Sequence, residues 1–249
     1  MRTEKINYQG QDIIVTGGTR GIGKEITLAF YKRGYGIHAI YKERQEEANN
    51  LEILRMEGIP LKTYQCNVTS EKDVKQFFKE INDYEGKVIG LINNAGTFHA
   101  QQSWKNDIET FRTNVIAPVM FTDKFAEYKK NKGLKEIASV INIGSTSGYR
   151  GPSGGIAYAA SKAALHRAST MQAIKYASED IYINTIVCGP IKTELLKQSS
   201  IFSPELEKQT PTQRLTTLEE VATLATFLVE NRHLNLVGAE IVLDGGRIL

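Results

Sequence analysis

Short strand-like segments, most of them apolar, recur along the chain at residues 13–16, 37–40, 63–66, 88–92, 140–143, 183–187 and 240–243, mostly uninterrupted by charge. Such runs suit strands buried on both faces of a parallel sheet, whereas a half-exposed antiparallel strand alternates apolar with polar positions. Between them, residues 22–33, 45–56, 71–84, 108–130, 157–177 and 218–229 read as helices. Strand and helix thus alternate six times before a last strand. That order predicts an α/β fold in which right-handed β-α-β units wind one open, doubly wound sheet of about seven parallel strands with helices on both faces. One long irregular stretch, 189–217, reads either as a substrate loop or as an ordinary surface connection. Open α/β sheets bind ligands beyond the carboxyl ends of their strands, so chemistry is sought just after each run.

Composition narrows the picture only a little. The 249 residues are 41% apolar and 24% charged, a globular composition long enough for one or two domains, and the unbroken alternation favours one domain over 1–249. With 31 basic and 28 acidic side chains the net charge is +3, too small an excess to predict a nucleic-acid or membrane partner. Cys66 and Cys188 lie far apart without a C-x-x-C spacing, which fits a reducing compartment and two buried small hydrophobes. Residues 1–12 are polar, and no run approaches the roughly 18 apolar residues of a membrane span, so a cytoplasmic protein is expected. His38, His99, His166 and His233 lack metal-ligand spacing, so no metal is expected. Trp104 reads as a packing or interface residue.

The first run leads straight into Thr16-Gly17-Gly18-Thr19-Arg20-Gly21-Ile22-Gly23 and then a helix. Glycines there permit a tight turn and close backbone approach, so amide groups and the helix dipole can meet a pyrophosphate. Gly18 to Lys24 also fits the start of a nucleotide-triphosphate P-loop. Glu25, where that motif needs Ser or Thr to hold magnesium, speaks against it. Dinucleotide folds often place an acid at the end of the second strand to hold the ribose 2′-hydroxyl. Here that end reads Tyr41-Lys42-Glu43, and with Arg20 in the turn the two cations favour a 2′-phosphate, hence NADP(H) over NAD(H). Glu43 is the competing feature, one residue away from reaching the ribose.

Tyr158 and Lys162 stand four apart on one helical face. A free tyrosine has a pKa of about 10, and a neighbouring ammonium lowers it toward the range of a useful general acid. Ser145 follows the run 140–143, where its hydroxyl can hydrogen-bond a substrate oxygen. Each feature alone is common, but the joint order is not. Thr16-Gly17-x-x-x-Gly21-x-Gly23, Asn93-Asn94-Ala95-Gly96, Asn114, Gly144-Ser145, Tyr158-x-x-x-Lys162, Gly189-Pro190-Ile191-Lys192-Thr193, the stretch 214–222 and Leu243-Asp244-Gly245-Gly246 succeed one another along nearly the whole chain. In this the sequence resembles the short-chain dehydrogenase/reductase family, and within it the 3-oxoacyl-[acyl-carrier-protein] reductase-like subgroup.

The resemblance implies a Rossmann-type sheet and an NAD(P)-dependent oxidoreductase that interconverts a ketone and a secondary alcohol by hydride transfer. It implies that Tyr158 moves the proton, Lys162 lowers the tyrosine pKa and binds the nicotinamide ribose, Ser145 orients the carbonyl, and Asn114 holds a water linking Lys162 to solvent. On the cofactor side it implies a pyrophosphate turn of Gly17, Thr19, Arg20, Gly21, Ile22 and Gly23, with Lys42 at the 2′-phosphate. Asn67 and Val68 would meet adenine, Asn94, Ala95 and Gly96 would line the adenosine side, Ile191 and Thr193 would hold the carboxamide, and Gly189 would be a further cofactor contact. Three departures stand out: Asn67 replaces an acid that many members carry, Cys188 stands where Pro is usual, and 97–113 is short.

Substrate classes stay open between a 3-oxoacyl thioester, a free ketone or alcohol such as a sugar, polyol or specialised metabolite, and a non-catalytic dinucleotide-binding regulator. Pocket candidates are Phe98, His99, Gln101, Thr146, Ser147, Tyr149, Leu195, Leu196 and Phe202. Lys129, Lys130, Lys132 and Lys135 form a basic cluster that either meets an acyl carrier protein or is a solvated helix end. The family's usual assembly implies a homotetramer through helices 108–130 and 157–177.

Overall fold

The computed structural model describes residues 6–55, 58–150, 155–193 and 205–249. Its seven strands are β1 Asp12–Thr16, β2 Gly36–Tyr41, β3 Leu61–Gln65, β4 Val88–Asn93, β5 Ala138–Ser145, β6 Ile181–Cys188 and β7 Glu240–Leu243. They form one sheet in the order β3-β2-β1-β4-β5-β6-β7, and every neighbouring pair is parallel. The chain winds outward from β1 to β3, returns to β4 on the other side of β1, and winds outward again. The reversal between β1 and β4 opens a crevice at the carboxyl ends of the strands.

The helices are α1 Gly21–Tyr31, α2 Gln45–Glu52, α3 Glu71–Asp83, α4 Trp104–Phe111, α5 Ala117–Asn131, α6 Ile156–Tyr176 and α7 Leu218–Glu230. All five residues of β1 are buried because both sheet faces are covered. Ile13 and Val15 pack with Phe30 of α1, Leu51 of α2 and Val221 of α7, while Ile14 joins Phe77 of α3, Phe121 of α5 and Ala173 of α6. The two-residue strand period thus divides one apolar run between two cores, each fully buried Ile contributing about 1.5–3 kcal/mol.

Local signals explain where helices begin. Ser70 accepts the Asp73 N–H at the start of α3, whose Val74, Phe77, Phe78 and Ile81 form the buried stripe. α7 opens on a reciprocal cap between Thr217 and Glu220, braced by two hydrogen bonds from Arg214 to Glu220. None of the described helices is long and apolar enough to cross a membrane.

The structure corrects several boundaries. The expected helix 108–130 is two helices joined by a π-helical turn, Arg112–Ile116, with Asn114 at its centre. Helix α2 stops at Glu52, short of the expected 56, and Ile53 and Leu54 beyond it are exposed. β5 and β6 run on to Ser145 and Cys188, two and one residues past the apolar runs that predicted them. The ends of the irregular stretch are pinned together by a parallel bridge between Ile191 and Thr216. Leu195, Leu196 and Phe202 lie outside the described residues.

Candidate active site

The glycine turn is built by tight packing and left-handed backbone. Gly17 and Gly21 have φ of +63° and +52°, and a Cβ on Gly21 would stand in open space. Gly23, in the first turn of α1, has no such room: a Cβ would lie 2.1 Å from the Gly17 carbonyl oxygen. The first bond within α1 runs from the Lys24 N–H to the Arg20 carbonyl, so the amides of residues 21–23 have no acceptor inside the helix. Arg20 at the N-cap carries no side-chain acceptor to satisfy them. The turn therefore fits a pyrophosphate. Thr19 is buried and Ile22 half-buried behind it.

Asn94 and Thr16 join this turn to the loop after β4. The Asn94 side-chain amide donates to the carbonyls of Thr16 (2.9 Å) and Gly17 (3.1 Å), and Thr16 Oγ1 accepts the N–H groups of Asn94 and Ala95, both at 3.0 Å. Gly96 follows on the exposed lip, where a Cβ would come within 4.0 Å of Lys162 Nζ.

The adenosine side is more contested than the sequence implies. Lys42 Nζ is exposed and lies 3.6 Å from Glu43 and 3.7 Å from Glu109 of α4. Glu109 also approaches His99, at 3.6 Å. Tyr41 turns its hydroxyl onto Gln45. Asn67 Oδ1 accepts from the Thr69 N–H (3.1 Å) and hydroxyl (2.8 Å), closing a local turn that leaves its amide hydrogens for any ligand, and Val68 is buried beside it.

At the carboxyl end of β5 the four expected residues converge. Tyr158 and Lys162 share one face of α6, and Ser145 is the last residue of β5. Lys162 Nζ lies 5.9 Å from the Tyr158 ring centre and donates to the Ile143 carbonyl at 2.8 Å. Burial pushes the Tyr158 hydroxyl up to about 12, against a lowering hydrogen bond with Ser145. Burial likewise brings the Lys162 ammonium down to about 8. The lowering of Tyr158 expected from Lys162 thus comes from Ser145 here, and burial outweighs it.

Asn114 is fully buried, and the π-helical turn aims it at the other strand loop. Its Oδ1 accepts the Thr97 N–H (2.9 Å), while its amide donates to the Thr97 carbonyl and to Ser161 Oγ, both at 3.0 Å. Ser161 in turn donates to the Tyr158 carbonyl at 2.7 Å. Both amide hydrogens are spent, which leaves one lone pair on Oδ1 for a water. Ser161 and Thr97 carry much of this geometry without a sequence signal of their own, beyond the place of Ser161 inside Tyr158-x-x-x-Lys162, whereas Thr16 opens the glycine motif.

The remaining candidates scatter. Phe98 is buried edge-on against the Tyr158 ring, centroids 5.7 Å apart, and Thr146 and Ser147 are buried in the 3₁₀ turn after β5. Gln101 is exposed and Tyr149 half-exposed. The Gly189 N–H donates to the Leu243 carbonyl at 3.0 Å, Ile191 is buried, and Thr193 is partly exposed at the edge of the described segment. Burial holds the Cys66 and Cys188 thiols protonated, each pushed up to about 12. Trp104, expected to pack or meet a partner, is 85% exposed.

Of the basic cluster, Lys130 and Lys135 are exposed, while the other two lysines serve backbone carbonyls. Lys129 is buried and donates to the carbonyls of Leu134 and Glu179, and Lys132 donates to the Tyr84 carbonyl. These groups lie at the amino ends of the strands, while Ser145 stands at the other end of β5, whose eight residues span about 23 Å.

A family model described as enoyl-(acyl carrier protein) reductase matches residues 17–247. A 3-oxoacyl-[acyl-carrier-protein] reductase of Bos taurus is 30% identical over 240 residues, covering 93% of this chain and 95% of the relative. A short chain dehydrogenase from Bacillus anthracis superposes with a TM-score of 0.84 at 25% identity, over 96% of this chain and 97% of that one. A Burkholderia cenocepacia short chain dehydrogenase in complex with NADP superposes with a TM-score of 0.83 at 24% identity, over 99% of this chain and all (100%) of that one. The chain belongs to the short-chain dehydrogenase/reductase family. It is accordingly an NAD(P)-dependent oxidoreductase with a Rossmann-type fold.

Proposed function

We propose that the chain, as one dinucleotide-binding domain, reduces a ketone to a secondary alcohol with NADPH, a 3-oxoacyl thioester being the first substrate to try. The observation that carries this reading is the convergence of Ser145, Tyr158, Lys162 and Asn114 at the carboxyl end of β5, beside the glycine turn. When bound, a nicotinamide supplies the hydride. The chain's own residues do the rest. Tyr158, raised to about 12, is protonated at neutral pH and so stands ready as an acid toward a carbonyl oxygen, with Ser145 donating to the same oxygen. Lys162, near 8, holds a proton close to the Tyr158 ring and would bind the nicotinamide ribose, and Asn114 keeps its loop in place for a water behind it. Gly17, Thr19, Arg20, Gly21, Ile22 and Gly23 would hold the pyrophosphate, Lys42 the 2′-phosphate, and Ile191 and Thr193 the carboxamide.

Support for NADPH comes from Lys42 and Arg20 and from the NADP complex of the Burkholderia relative. Support for the thioester comes from the name of the Bos taurus relative. A free ketone is the second reading, favoured by the position of the lysine cluster at the far end of the sheet from Ser145. We also propose a homotetramer: Ile108, Phe111, Ile116, Met171 and Ile174 are large exposed apolar side chains within the stretches 108–130 and 157–177 expected at its interface, with Trp104 and Ile156 just before them. Its mass in solution at micromolar concentration decides that. The function is tested by NADPH consumption against β-ketoacyl thioesters, with and without carrier protein, and against free ketones. Tyr158→Phe should abolish turnover while cofactor still binds; retained turnover would sink the reading.

A further inference from the structure

α6 bears a third polar side chain on the face of Tyr158 and Lys162, because His166 lies one further four-residue step along. It is 4% exposed. On the neighbouring sheet, β4 ends at Asn93, opposite Asn142 of β5, so residues 143–145 continue with only β6 beside them. Their backbone groups turn to α6 instead. The Ile143 carbonyl accepts from Lys162, and the Ser145 N–H donates to His166 Nε2 at 3.3 Å.

The backbone is shaped around the imidazole. A Cβ on Gly144 would lie 2.5 Å from Nε2 and one on Gly148 would lie 2.9 Å from Cε1. Tyr149 closes over it, ring centroids 5.1 Å apart. To accept from Ser145, Nε2 must be bare, so the proton sits on Nδ1, which faces Glu240 Oε2 at 3.7 Å. Burial and the Lys162 charge bring the imidazole down to about 4, which keeps it neutral at neutral pH. The Ser145 hydroxyl also accepts the Ser147 N–H at 3.2 Å, so strand end and 3₁₀ turn form one piece anchored by this ring.

We propose that His166 is a positioning residue for Ser145, holding the end of β5 so that the serine hydroxyl faces Tyr158. The inference rests on the acid–base reading of Ser145 and Tyr158 given above.

The experiment compares His166→Leu, which offers no acceptor, with His166→Gln, whose side-chain oxygen reaches to about the same place, each in the wild-type and Ser145→Ala backgrounds. The substrates are NADPH and acetoacetyl-coenzyme A, or the best ketone of the panel above if that thioester is not reduced. His166→Leu should lower kcat about tenfold with the NADPH Kd unchanged, and His166→Gln should restore it to within about threefold. In the Ser145→Ala background the leucine change should cost less than about twofold more, because its effect runs through Ser145. Amide hydrogen exchange at Ser145 should accelerate at least about tenfold in His166→Leu and not in His166→Gln. Equal losses in both backgrounds, a wild-type kcat in His166→Leu, or unchanged exchange at Ser145 overturns the proposal. Should His166→Leu not fold, His166→Asn, too short to reach the amide, replaces it. If Tyr158→Phe retains turnover, the acid–base reading fails instead, and the exchange measurement still decides the His166 contact.

Discussion

Replacing Gly23 by alanine tests the cofactor turn most directly. The new methyl would stand 2.1 Å from the Gly17 carbonyl oxygen and 2.4 Å from Asn94 Nδ2. Carbon and oxygen normally meet no closer than about 3.3 Å, so α1 and the turn must part by about 1 Å, and the first obstacle is backbone that cannot rotate away. Overpacking of this kind costs about 1–3 kcal/mol, and each Asn94 bond broken adds about 1 kcal/mol. A total near 3 kcal/mol lowers Tm by about 6–12 °C for a chain of this size. The same displacement moves the amides of residues 21–23 off any pyrophosphate, so the NADPH Kd should rise at least about thirtyfold. Thermal unfolding and titration of NADPH fluorescence read the two effects. Gly133→Ala is the control: its φ of +62° strains an alanine by about 1–2 kcal/mol, but a Cβ there meets nothing within 4 Å and lies far from the turn. A Gly23→Ala variant with the wild-type Kd and a Tm within about 2 °C would refute the packing argument.

Two further outcomes follow from charges. Lys42→Ala should weaken NADPH binding about tenfold and leave NADH unchanged, whereas Glu109→Gln, which removes the carboxylate 3.7 Å from Lys42 Nζ, should tighten NADPH binding; equal effects on both cofactors in equilibrium titrations would contradict the 2′-phosphate assignment. His166 is held at about 4 in the fold against 6.5 in an open chain. The unfolded chain therefore binds the extra proton first as pH falls. The stabilisation is complete above pH 6.5 and is lost progressively toward pH 4, by about 3 kcal/mol in all. Urea unfolding at pH 7 and pH 4.5 should show a larger loss in wild type than in His166→Gln, and equal losses would count against it.

Much of the fold was legible because burial on both faces leaves a simple trace: five consecutive buried residues in β1, and mostly buried apolar runs in β2, β4, β5 and β6, with weaker ones in β3 and β7 at the sheet edges. The spacing of Tyr158 and Lys162 survives as geometry for the same reason, since four residues on a helix always share a face. What escaped is what periodicity does not encode. The π-helical turn at Arg112–Ile116 inserts between two stretches that are each in helical phase, so 108–130 read as one helix. His166 carries no sequence signal beyond its lack of metal-ligand spacing, and its contact with Ser145 depends on β5 outrunning β4. Lys129 and Lys132 looked like surface charge, yet they serve backbone carbonyls, which only the tertiary contacts reveal.

The bonds from Thr16 and Asn94 that couple the glycine turn to the loop after β4 bear on how fast a cofactor arrives. Segments 78 residues apart are already locked in the shape that faces a dinucleotide, so the entropy of ordering them is lost during folding and not on association. Capture at this wall should be a single fast bimolecular step, linear in cofactor concentration in stopped flow, with any slower unimolecular phase arising elsewhere in the site.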